Sequence, residues 1–132
     1  MKIENQVVTI EQAKKLKELG VTAEPLFWYV IDIDPITPLD IIQKWQHSNF
    51  DQCEKYPAYT VAELGVMLPS ETFTQRTGSE DSEYDNWEWV DDGNGNANGL
   101  YETEAEARAS MLIYLLENHL TTHKEVNKRL NS

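Results

Sequence analysis

Asp92, Asn94 and Asn96 alternate along a Gly/Asn-rich stretch, with the spacing that turns the first oxygen ligands of a calcium loop onto a hard cation. The pattern then breaks. Ala97 stands where the sharp turn needs glycine, and Thr103 where the bidentate glutamate belongs, so a solvated hairpin loop is the better reading. His119 and His123 are four apart and share one side of a helix, as a zinc pair must, but Leu120 replaces the glutamate of a metalloprotease motif. Nucleophilic catalysis would need Cys53 or a serine beside His47, His119 or His123. No nucleophile elbow, phosphate-cradling glycine loop or dinucleotide fingerprint accompanies them. No catalytic, metal or cofactor-binding residue is assigned on this basis, and an enzyme is not expected.

The charge pattern says more. Between Arg76 and Arg108 lie ten acids, Glu80, Asp81, Glu83, Asp85, Glu88, Asp91, Asp92, Glu102, Glu104 and Glu106, with no Lys or Arg among them. Such a segment projects a field of one sign over a Debye length of about 8 Å at physiological salt and attracts basic surfaces. Trp87 and Trp89, interleaved with the acids, are side chains of the kind that anchor interfaces. The candidate partner-binding residues are therefore Asp85, Trp87, Glu88, Trp89, Asp91 and Asp92. The competing reading is a solvated loop followed by acids that favour a helix start.

The whole chain carries 23 Asp and Glu against 11 Lys and Arg, a formal charge of −12. That is the wrong sign for gripping phosphates by counterion release, so direct nucleic-acid binding is not expected. With 132 residues, 40% of them hydrophobic, the chain has one domain's worth of sequence and enough apolar material for its own core. It has no apolar run near 18 residues and no secretory signal pattern, so a membrane span is not expected. The single Cys53 excludes an internal disulfide and suits a reducing compartment; a cytoplasmic location is the expectation.

The elements that must position these residues follow from caps and periodicity. Thr9-Ile10-Glu11-Gln12 has the capping-box form, and Ile10, Ala13, Leu16 and Leu19 line one face of a helix ended by Gly20. Leu26 to Ile33 reads as a strand. Thr37-Pro38-Leu39-Asp40 predicts a second helix, with Leu39 and Ile42 inward, and His47 to Tyr59 reads as irregular. Thr60-Val61-Ala62-Glu63 predicts a third, short helix with Leu64 and Leu68 inward. Phe73 centres a strand over Ser70 to Gln75. Tyr84 to Val90 is a second main strand with Trp87 and Trp89 on one face, and the turn residues from Asp91 to Gly99 lead to a short return at Leu100-Tyr101. Thr103 caps the strongest helix, reaching about Asn118, with Ala105, Ala109, Leu112, Leu116 and Leu120 in one stripe, widened by Met111 and Leu115.

These patterns specify a single α+β domain over 1–118, a small, mainly antiparallel sheet packed by three to four helices. The tail, 119–132, is polar and weakly helical, with Val126 and Leu130 as its anchors.

The stretches from Glu4-Asn5-Gln6-Val7 through Lys14-Lys15-Leu16-Lys17-Glu18-Leu19-Gly20-Val21, from Tyr59-Thr60-Val61-Ala62-Glu63-Leu64 to Pro69, and from Thr103-Glu104-Ala105-Glu106 to Asn118 resemble those of small uncharacterised bacteriophage and prophage proteins. The resemblance covers about half the chain and rests on helix signatures. It implies an accessory protein made in a bacterial cytoplasm and transfers no catalytic residue. The function expected is non-enzymatic binding of a host or phage protein, one version being inhibition of a nucleic-acid-handling defence protein through its basic groove. A small-ligand protein that stacks a nucleotide-like group on Trp28, Tyr29, Trp45, Trp87 and Trp89, against which the absence of obvious phosphate-binding residues speaks, and a structural or assembly protein, are the alternatives. A homo-oligomer is compatible with either the Trp-rich strand or the long helix.

Overall fold

The computed structural model describes residues 2–31, 40–43, 54–76 and 86–131. Four α-helices, α1 (Ile10–Glu18), α2 (Val61–Met67), α3 (Glu104–Glu117) and α4 (His123–Asn131), accompany six strands in the described residues. The strands are β1 (Phe27–Ile31), β2 (Asp40–Gln43), β3 (Glu54–Pro57), β4 (Thr72–Arg76), β5 (Trp87–Asp91) and β6 (Asn96–Tyr101). The protein is an α+β domain, but its strands form two antiparallel sheets, β2-β1-β3 and β4-β5-β6, where one was expected. The two strong strand patterns, β1 and β5, are each the centre of their own sheet and never pair with one another.

The helix starts are as local chemistry dictates. In both α1 and α2 the cap is a reciprocal box: Thr9 Oγ1 accepts from the Gln12 amide while Gln12 accepts from Thr9, and Thr60 and Glu63 repeat the arrangement. Thr103 Oγ1 accepts from the Glu106 amide at 3.1 Å to start α3. Gln12 also donates from Nε2 to the Glu106 carbonyl and to Ser110 Oγ, both at 2.9 Å, so the residue that closes the cap of α1 also ties it to α3.

The return strand, expected at Leu100-Tyr101, runs from Asn96 as β6 through residues read as turn, and two further segments depart from the expected reading. Asp40–Gln43 is strand β2, not the inner part of a helix entered at Thr37. Thr-Pro-Leu-Asp carries every local helix-entry signal, yet residues 40–43 take their backbone hydrogen bonds from β1, with Tyr29 opposite Ile41 and Trp28 opposite Ile42. Tertiary pairing overrides local propensity there. Thr37 itself, with Leu39 and Trp45, lies outside the described residues. The second departure is β3, in a stretch read as irregular; Glu-Lys-Tyr-Pro has no apolar alternation, and its register comes from β1, with Tyr56 opposite Tyr29.

Helix α3 is the hub: it packs on α1, on α2 and on one face of β4-β5-β6. Its Ala105, Ala109, Met111, Leu112 and Leu115 are buried with Leu16, Leu64, Met67 and Tyr59, whereas Leu120, expected in the stripe, is 41% exposed. The helix ends before Leu120 because His119 takes a left-handed φ of 58°, letting the Leu120 amide donate back to the Leu115 carbonyl at 2.8 Å.

Residues 123–131 form α4, docked within the fold. Val126 is fully buried and Leu130 packs against the same core. Asn127 clamps the loop after α1, accepting from the Thr22 and Ala23 amides at 2.8 and 3.0 Å and donating to the Gly20 carbonyl at 3.0 Å. Arg129 donates to the Met67 carbonyl at the end of α2. Among the described residues no helix is long and apolar enough to cross a membrane.

Candidate functional site

Strand alternation sorts the candidate residues. Trp87, Trp89 and Asp91 point to the α3 side of the second sheet, and Glu88 and Val90 to the opposite side. Trp89 is 3% exposed, its ring 5.1 Å from that of Tyr114 on α3, and its indole N–H has no hydrogen-bond partner among the described residues. Asp91 is 2% exposed and accepts from Asn94 Nδ2 at 2.7 Å, fixing the turn. These two side chains serve the interior and are not available to a partner in this structure. Asp85 lies outside the described residues. Of the expected set, Asp92 is exposed, Glu88 is half-buried and accepts from Gln75, and Trp87 is half-buried under the Arg76 guanidinium, 5.4 Å from the ring centroid.

The outward face of β4-β5-β6 therefore holds Phe73 opposite Val90 and Val90 opposite Ala97, a short apolar row across three strands, with Gln75 and Glu88 as the next row. Phe73 is 46% exposed. Between Trp87 and Trp89 the β5-β6 register slips, setting Gly99 and Leu100 opposite Glu88. Leu100 has a φ of 76° and is 78% exposed. A leucine in the left-handed region is strained, and here it recovers almost nothing by burial. Charge and turn composition placed Asp92 and Glu88 on this surface; no sequence signal singled out Leu100 or Phe73.

The anticipated metal patterns do not assemble. Asn94 turns to Asp91, and Asp92 to Gly95 form a tight turn closed by Gly95 at φ 74°. His119 lies beyond the end of α3 and His123 begins α4, so they do not share a helix face. No group of three His, Cys, Asp or Glu positioned to hold a metal occurs among the described residues. Cys53 and His47 lie outside them.

Two of the concave sites among the described residues are lined by a tryptophan. A cleft of about 860 Å³ runs between the starts of α2 and α3, with Trp87, Arg76, Glu102 and Arg108 on its walls. Arg108 is already spent there: it donates to Glu104 at 2.8 Å and to the Val61 carbonyl at 3.0 Å. The other, of about 400 Å³, opens beside β3 and is lined by Trp28, Tyr56, Tyr59, Lys17, Lys55 and Glu54, among others. Lys17 and Lys14 of α1 set their ammonium groups 4.9 and 5.5 Å from the Tyr56 ring centroid, and Lys17 also donates to the Lys55 carbonyl. Partial desolvation, with Glu54 beside it, pushes the Tyr56 phenol up.

Tyr59, at the floor of this pocket, donates to the Ala23 carbonyl, and burial raises its phenol well above the ordinary value, with Glu63 adding to the effect. Tyr29 donates to the Val8 carbonyl, and burial, with Glu11 and Glu4 nearby, pushes its phenol up to about 12. The sequence reading named Trp28 and Tyr29 as stacking candidates but missed Lys17, Lys55 and Tyr56. Lys17 was visible only as the solvated side of α1, and Lys55 and Tyr56 fell in the stretch read as irregular, because β3 gave no strand signal. No protein-family model, curated protein or solved structure matches the chain.

Proposed function

We propose that this protein is a non-enzymatic binding protein that docks the outward face of β4-β5-β6 on a basic surface of another protein. The observation that carries the reading is Leu100: a bulky apolar side chain held in a strained backbone conformation and displayed to solvent, next to Glu88 and on the strand that follows Asp92. The fold gains little from leucine there, whereas an interface gains an apolar anchor with acidic neighbours. Phe73, Val90 and Ala97 supply further apolar area, and Glu88 and Asp92 supply the charge. A second copy of the chain would bring the same negative face against itself within a molecule of charge −12, which favours a partner of opposite sign.

The partner class with the required chemistry is a protein whose groove is basic because it handles nucleic acid. In a phage-type accessory protein working in a bacterial cytoplasm, occupying that groove inhibits a host defence protein. The test compares two variants of equal net charge, Glu88→Lys with Asp92→Lys, and Glu18→Lys with Glu117→Lys, as baits in phage-infected bacterial lysate. The reading predicts a protein retained by the wild type and the second variant and lost from the first. Equal retention by both variants, or loss from both, contradicts a localised acidic face.

A further inference from the structure

The two outer strands of the second sheet differ in the chemistry of their edges. β4 and β6 flank β5. On β6 a register slip, Gly99 and the left-handed Leu100 interrupt the line of backbone groups, as natural proteins do to guard an edge. β4 has no such guard: Thr-Phe-Thr-Gln-Arg keeps unbroken register with β5 and contains no Pro, Gly or Lys. The Asp92 amide donates to the Glu71 carbonyl at 2.9 Å, so the bonded pairs of the β4-β5 ladder fall at residues 71, 73 and 75. The N–H and C=O groups of Thr72 and Thr74 therefore face away from β5, and among the described residues they take no hydrogen bond.

We propose that an extended basic segment of the partner protein adds to β4 as a fourth, antiparallel strand. This rests on the docking of the outward face proposed above and gives that docking its mode. Residues of the added strand whose amides face Thr72 and Thr74 turn their side chains to the α3 side, and the alternate residues lie on the outward face. On that face Phe73, 46% exposed, stands in front of Val90 and takes an apolar neighbour. Gln75, bonded to Glu88, and exposed Glu71, with Asp92 opposite, lie on either side of Phe73 and take basic ones. The segment recognised is thus basic-x-apolar-x-basic, held by main-chain hydrogen bonds and selected by its three outward side chains. A second copy of β4 does not match, because pairing about Thr74 sets Phe73 against Gln75 and brings no cation to the outward carboxylates.

The probe is the acetylated, amidated peptide Thr-Lys-Thr-Val-Thr-Lys-Thr, titrated into the full chain with amide exchange read by NMR. Saturation is expected below about 1 mM, and with free peptide at about ten times Kd the Thr72 and Thr74 amides exchange about tenfold more slowly, whereas those of Phe73 and Gln75, already bonded to β5, change little. The peptide N-methylated at its threonines is expected to bind at least about tenfold more weakly, and the one N-methylated at its lysines and valine, whose amides face away from β4, within about threefold of the parent. Thr74→Pro removes the outward N–H and leaves the ladder to β5 intact; Thr74→Val loses the same hydroxyl bonds to Glu104 and Arg108 but keeps the N–H. The proline variant is expected to bind at least about tenfold more weakly than the valine variant, with the Phe73 and Gln75 amides protected in both. No saturation, unchanged exchange at Thr72 and Thr74 with peptide bound, or equal binding by the two N-methylated peptides or by the two Thr74 variants overturns strand addition. Unprotected amides together with affinity lost in Glu88→Lys with Asp92→Lys overturn the pairing and leave the acidic docking face standing. Protected amides with an affinity that this charge variant leaves unchanged uphold the pairing and overturn recognition by charge.

Discussion

Replacing Asn127 with alanine removes three hydrogen bonds at once, from the Thr22 amide, from the Ala23 amide and to the Gly20 carbonyl. A hydrogen bond contributes about 1 kcal/mol net, and an amide left unpaired in the interior costs about 1–3 kcal/mol. Thr22 is exposed, so water replaces its partner; Ala23 is 3% exposed, so its amide takes the larger penalty. The sum is about 2–4 kcal/mol, or a fall in Tm of about 8–16 °C for a domain of this size. Asn127→Asp keeps the oxygen that accepts from both amides and loses only the donor to Gly20, so it is expected to cost about 1 kcal/mol. Thermal and urea unfolding give the stabilities, and amide exchange at Thr22 and Ala23 locates the effect: protection falls in the alanine variant and persists in the aspartate variant. An Asn127→Ala protein that melts within about 1 °C of the wild type, with both amides still protected, refutes the clamp.

Trp89→Ala is expected to lower stability by about 3–5 kcal/mol, read by urea unfolding, because the indole is part of the interior beneath α3. Leu100→Asn is expected to do the reverse: asparagine tolerates the left-handed φ, so stability holds or rises by up to about 1 kcal/mol while partner retention falls. Gln12→Ala breaks a capping box and two bonds to α3 and is expected to cost about 2 kcal/mol, measured as a Tm shift. The raised phenol of Tyr29 gives a pH dependence whose sign follows from proton binding. Between pH 10 and about 12 the folded chain keeps a proton that the unfolded chain has lost. Stability is therefore full below pH 10 and falls as pH rises through 12, by up to about 1.4 kcal/mol per pH unit for this group. Tyr59 extends the loss upward, and Tyr29→Phe flattens the first part of the curve in thermal melts across that range.

What the sequence made legible was local. Thr9, Thr60 and Thr103 cap their own helices through atoms three residues away, and the stripe on α3 follows from a 3.6-residue period. Pairing was not legible. β2 and β3 are short, lack apolar alternation and owe their conformation to β1, so a helix entry and an irregular stretch were read in their place. The candidate acidic surface divided for a related reason: a run of acids in sequence becomes two faces once its centre is a strand, which turned Asp91 and Trp89 inward and left Glu88 outward. Leu100 reached the surface through a register slip between two strands, which no single-strand pattern encodes. The lysine-aromatic pocket likewise depends on α1 meeting β3.

Site-directed photo-crosslinking tests the docking surface most directly. A photoreactive side chain at Ala97, exposed on the outward face beside Val90, is compared with one at Glu117 near the end of α3, both in phage-infected bacterial lysate at low and high salt. The account predicts a discrete protein adduct at position 97, lost at high salt and absent from position 117. Adducts that are the same at both positions, or a position 97 adduct that salt leaves unchanged, would contradict it.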